Sequence, residues 1–160
     1  MTETLIKVRF ELHPSDWHGH GSENLWASQI SGTEWRNFQI MNSPFFARGI
    51  SYLDIVEASP TENNAVFKFE KIVERRGHST YMLIMLMNEH RIGAYWNMLE
   101  AMGCSYESMN IDLSVGPRLL YSVDVPSSAD ICEVYEILER GKRDKVWIFQ
   151  EGYAHLPAST

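Results

Sequence analysis

Ser43-Pro-Phe-Phe-Ala-Arg-Gly-Ile-Ser-Tyr-Leu-Asp-Ile-Val-Glu-Ala58 is the stretch around which this chain is organised. Pro44 fixes its own φ and pushes Ser43 toward extended geometry, and Gly49 is the one residue nearby that adopts a positive φ without strain. The stretch therefore opens as a rigid aromatic turn. After it Ile50, Tyr52, Asp54 and Val56 alternate with Ser51, Leu53, Ile55 and Glu57, and this period of two predicts a strand with apolar groups on both faces. Asp54 then sits inside an apolar strand. A carboxylate there has to be exposed at an edge, paired, or hydrogen-bonded by backbone amides, because an isolated buried charge is too costly.

Upstream, Leu5, Lys7, Arg9 and Glu11 alternate with Ile6, Val8, Phe10 and Leu12, which predicts a first strand with one strongly apolar face. His13 to Gly21 breaks the pattern with a polar, turn-rich loop. Strands are predicted over Glu23 to Ile30 and Glu34 to Met41, joined by a Ser31-Gly32-Thr33 hairpin. Downstream, Asn63-Asn64 marks a turn and Ala65 to Val73 alternates again as a fifth strand. Five short strands in residues 1–74 predict a small SH3-like β-barrel, which manages its sheet edges by near-closure.

Beyond Arg75 the pattern changes. Thr80 to Met87 is apolar almost throughout, as in a central strand covered on both faces. Asn88 is placed to cap a helix with Ile92, Tyr95, Trp96 and Leu99 on one stripe and Gly103 at its end. Met109 to Val115 and Arg118 to Val125 predict a hairpin turning at Gly116-Pro117. Ser127 or Ser128 would cap a second helix, with Ile131, Val134, Tyr135 and Leu138 inward and Gly141 closing it. Lys145 to Gln150 supplies a last strand. The order β-α-β-β-α-β over residues 75–160 predicts a ferredoxin-like module, so the fold class is α+β. Both helices would cover one face of its sheet, and the barrel is expected to cover the other.

The chain has 160 residues, is 44% hydrophobic and carries a net charge of −7, from 21 acidic against 14 basic residues. That size permits one sizeable core or two small ones. The charge repels phosphate backbones and anionic membranes, which argues against nucleic-acid and membrane binding and favours a basic protein partner. Two cysteines and no apolar leader segment predict a reducing, cytoplasmic setting.

Asn42 to Ala58, Arg76-Gly-His-Ser-Thr80, Met102-Gly-Cys-Ser-Tyr106 and Val123-Asp-Val-Pro126 resemble a bacterial family of short proteins catalogued as a domain of unknown function. The carrying motif is Asn-x-Pro-Phe-Phe-x-x-Gly-Ile-Ser-Tyr-x-Asp-x-Val. This resemblance spans nearly the whole chain and brings no reaction, cofactor or catalytic residue with it. The His-rich tip, His18 to His20, is not part of that pattern.

On their own terms, His13, His18 and His20 with Asp16 and Glu23 include a His-x-His able to hold a transition metal. A solvated glycine-flanked loop explains them as well, and no metal or cofactor is expected. Cys104 with His78 could form a nucleophile and its base, but inert structural thiols are the simpler reading of both cysteines. No phosphate-binding glycine loop and no His-Glu-x-x-His occurs, so no catalytic residue is assigned. The candidate ligand site is the joint between the modules. There Tyr52, Asp54, Arg76, His78 and Ser79 would form a polar pocket, Arg76 gripping an anion and Asp54 orienting His78. The competing reading is an Arg76–Asp54 brace. Glu133, Glu136 and Glu139, at i, i+3 and i+6 on the second helix, are the expected partner-binding face. Together these features predict a non-catalytic binding protein, regulatory or immunity-type, with a small enzyme or anion sensor at the joint as the alternative.

Overall fold

Ile6, Val8 and Phe10 are buried while Leu5 and Glu11 are exposed, so the first strand, β1 (Leu5–Glu11), uses its period of two to turn one face to a core. In the computed structural model, which describes residues 5–31, 36–86 and 89–156, β1 begins a closed barrel. It continues through β2 (Ser22–Gln29), β3 (Asn37–Ile40), β4 (Ile55–Pro60) and β5 (Val66–Glu74). Neighbouring strands are antiparallel except β1 and β5, which close the barrel in parallel, with Lys7 opposite Val66. Register shifts between β4 and β5 at Ile55/Val56 and Glu57/Ala58 supply local bends of the sort closure needs. Val8, Leu25, Phe38, Ile40 and Val56 fill the interior, each worth about 1.5–3 kcal/mol of burial.

The second sheet holds β6 (Ser79–Met85), β7 (Ser105–Leu113), β8 (Gly116–Val125) and β9 (Trp147–Tyr153), with α1 (Glu89–Ala101) after β6 and α2 (Ile131–Arg143) after β8. Its spatial order is β7-β8-β6-β9, all antiparallel, which makes β6 and β8 central. Tyr81, Leu83, Val123 and Trp147 on one face pack against Trp96 and Leu99 of α1 and Val134 and Leu138 of α2. The opposite face presents Met82, Leu120 and Ile111, and onto it come Phe45 and Phe46 from the barrel half. The chain is thus a mixed α and β protein, a closed five-stranded barrel plus a second sheet with two helices.

Several boundaries differ from expectation, each for a local reason. The strand expected from Ile50 starts only at Ile55, because Leu53 takes a φ of 70° and turns the chain. β3 is shorter than Glu34 to Met41; Gly32, Thr33 and Glu34 lie outside the described residues, as do Met87 and Asn88. Asp130 caps α2 in place of Ser127 or Ser128, its carboxylate accepting from the amides of Cys132 (2.9 Å) and Glu133 (3.3 Å). Ile137, not Tyr135, completes the buried stripe. Gly141 lies inside α2 and does not end it: a Cβ there would come within 2.3 Å of the Trp147 ring, so glycine is needed for close packing. The β7–β8 hairpin turns at Ser114 and Val115, with Leu113 opposite Gly116. Gly103 does end α1, at a φ of 94°. The Cys104 amide bonds Leu99 O and the Gly103 amide bonds Glu100 O, closing a Schellman motif.

Candidate functional site: the cleft at the junction

The fourteen residues between β3 and β4, 41–54, cross from the barrel to the sheet and build the junction. Glu23 of β2 holds the first turn. Its carboxylate accepts the amides of Phe45 (2.7 Å), Phe46 (3.0 Å) and Ala47 (2.9 Å), a small nest of N–H groups around an anion. Pro44 O accepts the buried Ser122 hydroxyl of β8 at 2.5 Å. Gly49, at a φ of 83°, donates its amide to Gly152 O of β9. Ser51 Oγ meets Thr80 Oγ1 of β6 at 2.7 Å.

Asp54 anchors the far end of this crossing. It is fully buried, and its carboxylate accepts from the Ser51 amide (3.0 Å), the Arg75 guanidinium (3.0 Å) and the Arg76 amide (3.3 Å). Burial pushes the Asp54 carboxyl above the usual carboxylate value, and the three donors oppose that shift. Arg75 is fixed in turn by Gly49 O at 2.8 Å and by the Tyr153 ring, 3.8 Å beneath its guanidinium.

Beside this bonded seam lies a cleft of about 300 Å³, lined by Asn42 and Tyr52 from the crossing and by Ser105, Glu107, Ser122 and Asp124 from β7 and β8. Ser105 pairs with Asp124 and Glu107 with Ser122 in the β7–β8 register, so all four side chains share the face turned to the barrel. Behind Asp124 stands His78, whose Nδ1 lies 2.9 and 3.1 Å from the two carboxylate oxygens. With Nδ1 protonated the ring donates to Asp124, and it stands nearly perpendicular to the Tyr52 ring with centroids 5.4 Å apart. Burial raises the Asp124 carboxyl above the ordinary range, with the His78 bond opposing.

Residues 23–149 match the family described as Domain of unknown function (DUF4265). The chain belongs to that family. A crystal structure of a hypothetical protein from Neisseria gonorrhoeae has the same fold, with a TM-score of 0.70 at 16% sequence identity over 98% of this chain and 99% of that one. No curated protein matches the chain significantly. Every lining residue of the cleft falls inside the DUF4265 span, whereas Trp17, His18 and His20 fall before it.

The expected site residues divide between the seam and the cleft of this DUF4265 chain. Tyr52 lines the cleft and His78 stands behind it. Asp54 belongs to the seam, so it does not orient His78; Asp124 does. Asp54 is braced by the side chain of Arg75, and Arg76 supplies only its amide while its guanidinium reaches Glu74 at 3.6 Å. Ser79 Oγ accepts the His155 amide at 2.8 Å on another side of the joint. Glu133 and Glu136 are exposed on α2, and Glu139 lies near the Tyr135 hydroxyl and pushes its pKa up. They lie beyond the helix layer, on the side of the sheet away from the cleft.

The histidine loop is largely exposed, His13, Trp17 and His20 among its exposed residues, yet it also packs on the fold. Trp17, His18 and His20 pack around Phe46 at ring distances of 5.9, 4.8 and 4.5 Å, and Trp17 Nε1 donates to Gln150 Oε1 of β9. His18 Nδ1 accepts the His20 amide and its Nε2 lies 3.9 Å from Asp16. Among the described residues no group of three or more His, Cys, Asp or Glu is arranged to hold a metal. Cys104 is buried and its thiol is pushed up to about 12, chiefly by burial and further by Asp124, so it is not a thiolate at neutral pH.

Asp124 and Glu107 are the site residues that sequence reasoning left unassigned. A signal was present for Asp124. It stands between Val123 and Val125 in an apolar strand, the same situation that drew attention to Asp54.

Proposed function

We propose that this protein is a non-catalytic binding protein, regulatory or immunity-type, that engages a basic protein partner and receives a cationic side chain of it in the junction cleft. The observation that carries this reading is the charge of the cleft wall. Among the described residues that line it, the charged side chains are Glu107 and Asp124, both acidic. A lysine or arginine placed there packs its alkyl stem on Tyr52 and brings its charge to two carboxylates, with Asn42 and Ser105 as further acceptors. The net charge of −7 draws such a partner in, and Glu133, Glu136 and Glu139 on α2 add to the same field. At the finer level of fold we infer an SH3-like barrel and a ferredoxin-like second module. The five-strand closure and the β7-β8-β6-β9 order with both helices on one face support that inference. A cytoplasmic setting is supported by two free thiols, and no helix among the described residues is long and apolar enough to cross a membrane.

The His78–Asp124 pair favours a second reading, a small enzyme in which Asp124 orients His78 as a general base. Its anion-sensing variant is less well supported, because Arg76 is turned to Glu74. NMR titration with an acetylated, amidated Arg-Gly-Arg peptide distinguishes these. Saturable shifts at Tyr52, Glu107 and Asp124 are expected, weakening as salt rises and reduced several-fold by Glu107→Gln. Binding of inorganic phosphate that is abolished by Arg76→Ala, with no response to the peptide, would sink the basic-partner reading.

A further inference from the structure

Resting on that basic-partner reading, we infer that the partner binds as an extended segment added to the outer edge of β7, with alternate side chains turned toward the junction cleft. β7 ends the sheet, and among the described residues no strand pairs with its outer side. Half of its backbone N–H and C=O groups therefore face outward along nine residues. Proteins ordinarily blunt such an edge with charged side chains, lysine above all, a proline, a bulge or a cover, and the charges β7 carries are the carboxylates of Glu107 and Asp112, which admit a cationic strand. Ser105-Tyr-Glu-Ser-Met-Asn-Ile-Asp-Leu113 contains no lysine, arginine or proline, and its register with β8 runs from Ser105/Asp124 to Leu113/Gly116 without a shift.

The opposite edge shows what protection looks like in this molecule. β9 is interrupted by a register shift at Thr80/Tyr81, and its Gly152 carbonyl is already taken by the Gly49 amide of the barrel half. β7 has neither device.

Charge selects the occupant. The ionisable groups of β7 are Glu107 and Asp112, both exposed, and Tyr106. An added strand lies about 4.8 Å from β7. A side chain directly across from Glu107 has its Cβ roughly 5 Å from that of Glu107. A lysine or arginine at that position reaches Glu107 and the cleft mouth, and the positions two residues away on the same face lie opposite Ser105 and Met109. A second copy of this chain is a poorer occupant, because it brings another −7 and the same two carboxylates to the edge. Main-chain pairing would supply affinity, and the cationic side chain opposite Glu107 would supply selectivity.

The probe is an acetylated, amidated heptapeptide of alternating lysine and valine. It is compared with the same peptide N-methylated at alternate amides and with its glutamate–valine counterpart. The lysine peptide is expected to bind saturably and to slow hydrogen exchange at alternate β7 amides about tenfold or more. The N-methylated and glutamate peptides should do neither. If lysine and N-methylated peptides bind equally, with Glu107→Gln weakening both and β7 exchange unchanged, the added strand is wrong while the acidic cleft stands. If no cationic peptide binds, both readings fall. Protection of β7 amides that rises with protein concentration, together with a dimer mass, would assign the edge to a second copy and overturn the inference.

Discussion

Asp54, fully buried, and Asp124, partly exposed to the cleft, are two aspartates at one junction, and they are built for different ends. Asp54 receives three donors, one of them a guanidinium, all from groups fixed in the crossing segment and the short joint after β5. Asp124 receives one, the His78 ring, and otherwise faces the cleft. A carboxylate offers about four acceptor sites, so Asp54 is nearly saturated and Asp124 is not. Burial raises the carboxyl of each in the same direction. Their roles are separated by how many donors the fold supplies: the saturated carboxylate is a brace, and the unsaturated one is free to take a ligand's donors.

Removing the brace should have the largest effect. Asp54→Ala leaves Arg75 without its ion-pair partner and two amides without their acceptor, and is expected to cost about 3 kcal/mol, read from the midpoint of denaturant unfolding. A cost below about 1 kcal/mol would erase the distinction between the two aspartates. Ser122→Ala removes the donor to Pro44 O in the cleft floor and should cost about 1–2 kcal/mol, since it strands a buried carbonyl.

Asp124→Asn should change stability at neutral pH by less than about 1 kcal/mol, because the amide oxygen still accepts from His78. Its pH dependence is more informative. The native carboxyl titrates above 3.8, so between that value and its raised native one the folded state binds more protons than the unfolded state. The contribution of Asp124 to stability therefore falls as pH rises through that window, and Asp124→Asn should flatten this part of the stability–pH curve. An unchanged curve would mean that Asp124 is solvated like a surface carboxylate.

The smallest effect expected is none. Zinc should leave the melting temperature where it is, because His18 Nδ1 and the Glu23 carboxylate are engaged within the fold and, among the described residues, no group of three or more His, Cys, Asp or Glu is arranged to hold a metal. A saturable rise that disappears in His18→Ala would reopen the loop as a metal site.

Elements with a clean period could be read directly. Ile6, Val8 and Phe10 in β1 and the Ile92, Trp96 and Leu99 stripe in α1 are buried as their spacing requires. The crossing segment was misread because Ile50 to Asp54 alternates like a strand while hydrogen bonds from distant residues decide its path. Leu53 is turned by bonds between its amide and Ile40 O and between the Ile40 amide and Asp54 O. The same limit applies to the site. That Arg75 and not Arg76 meets Asp54 depends on which way two adjacent residues point after β5, and nothing local in Glu74-Arg75-Arg76 sets that. The His78–Asp124 pair joins residues 46 apart in the chain through β6–β8 pairing, so its geometry appears only once the sheet is assembled.

The Phe45–Phe46 turn also bears on how the protein is made. The ribosome releases the barrel, through Glu74, about 50 residues before the end of β8, which carries Leu120 and Ser122. At about 5–20 residues per second, the interval is roughly 3–10 s. During it Glu23 can already hold the turn and Trp17, His18 and His20 can already flank Phe46, but the sheet face on which both rings later pack has not been made. The aromatic pair that later seals the two halves is, in that window, the sticky surface on which chaperones and neighbouring nascent chains compete. Chains that stop before β8 keep it permanently, so synthesis rate and truncation are the points at which this architecture is most exposed to aggregation.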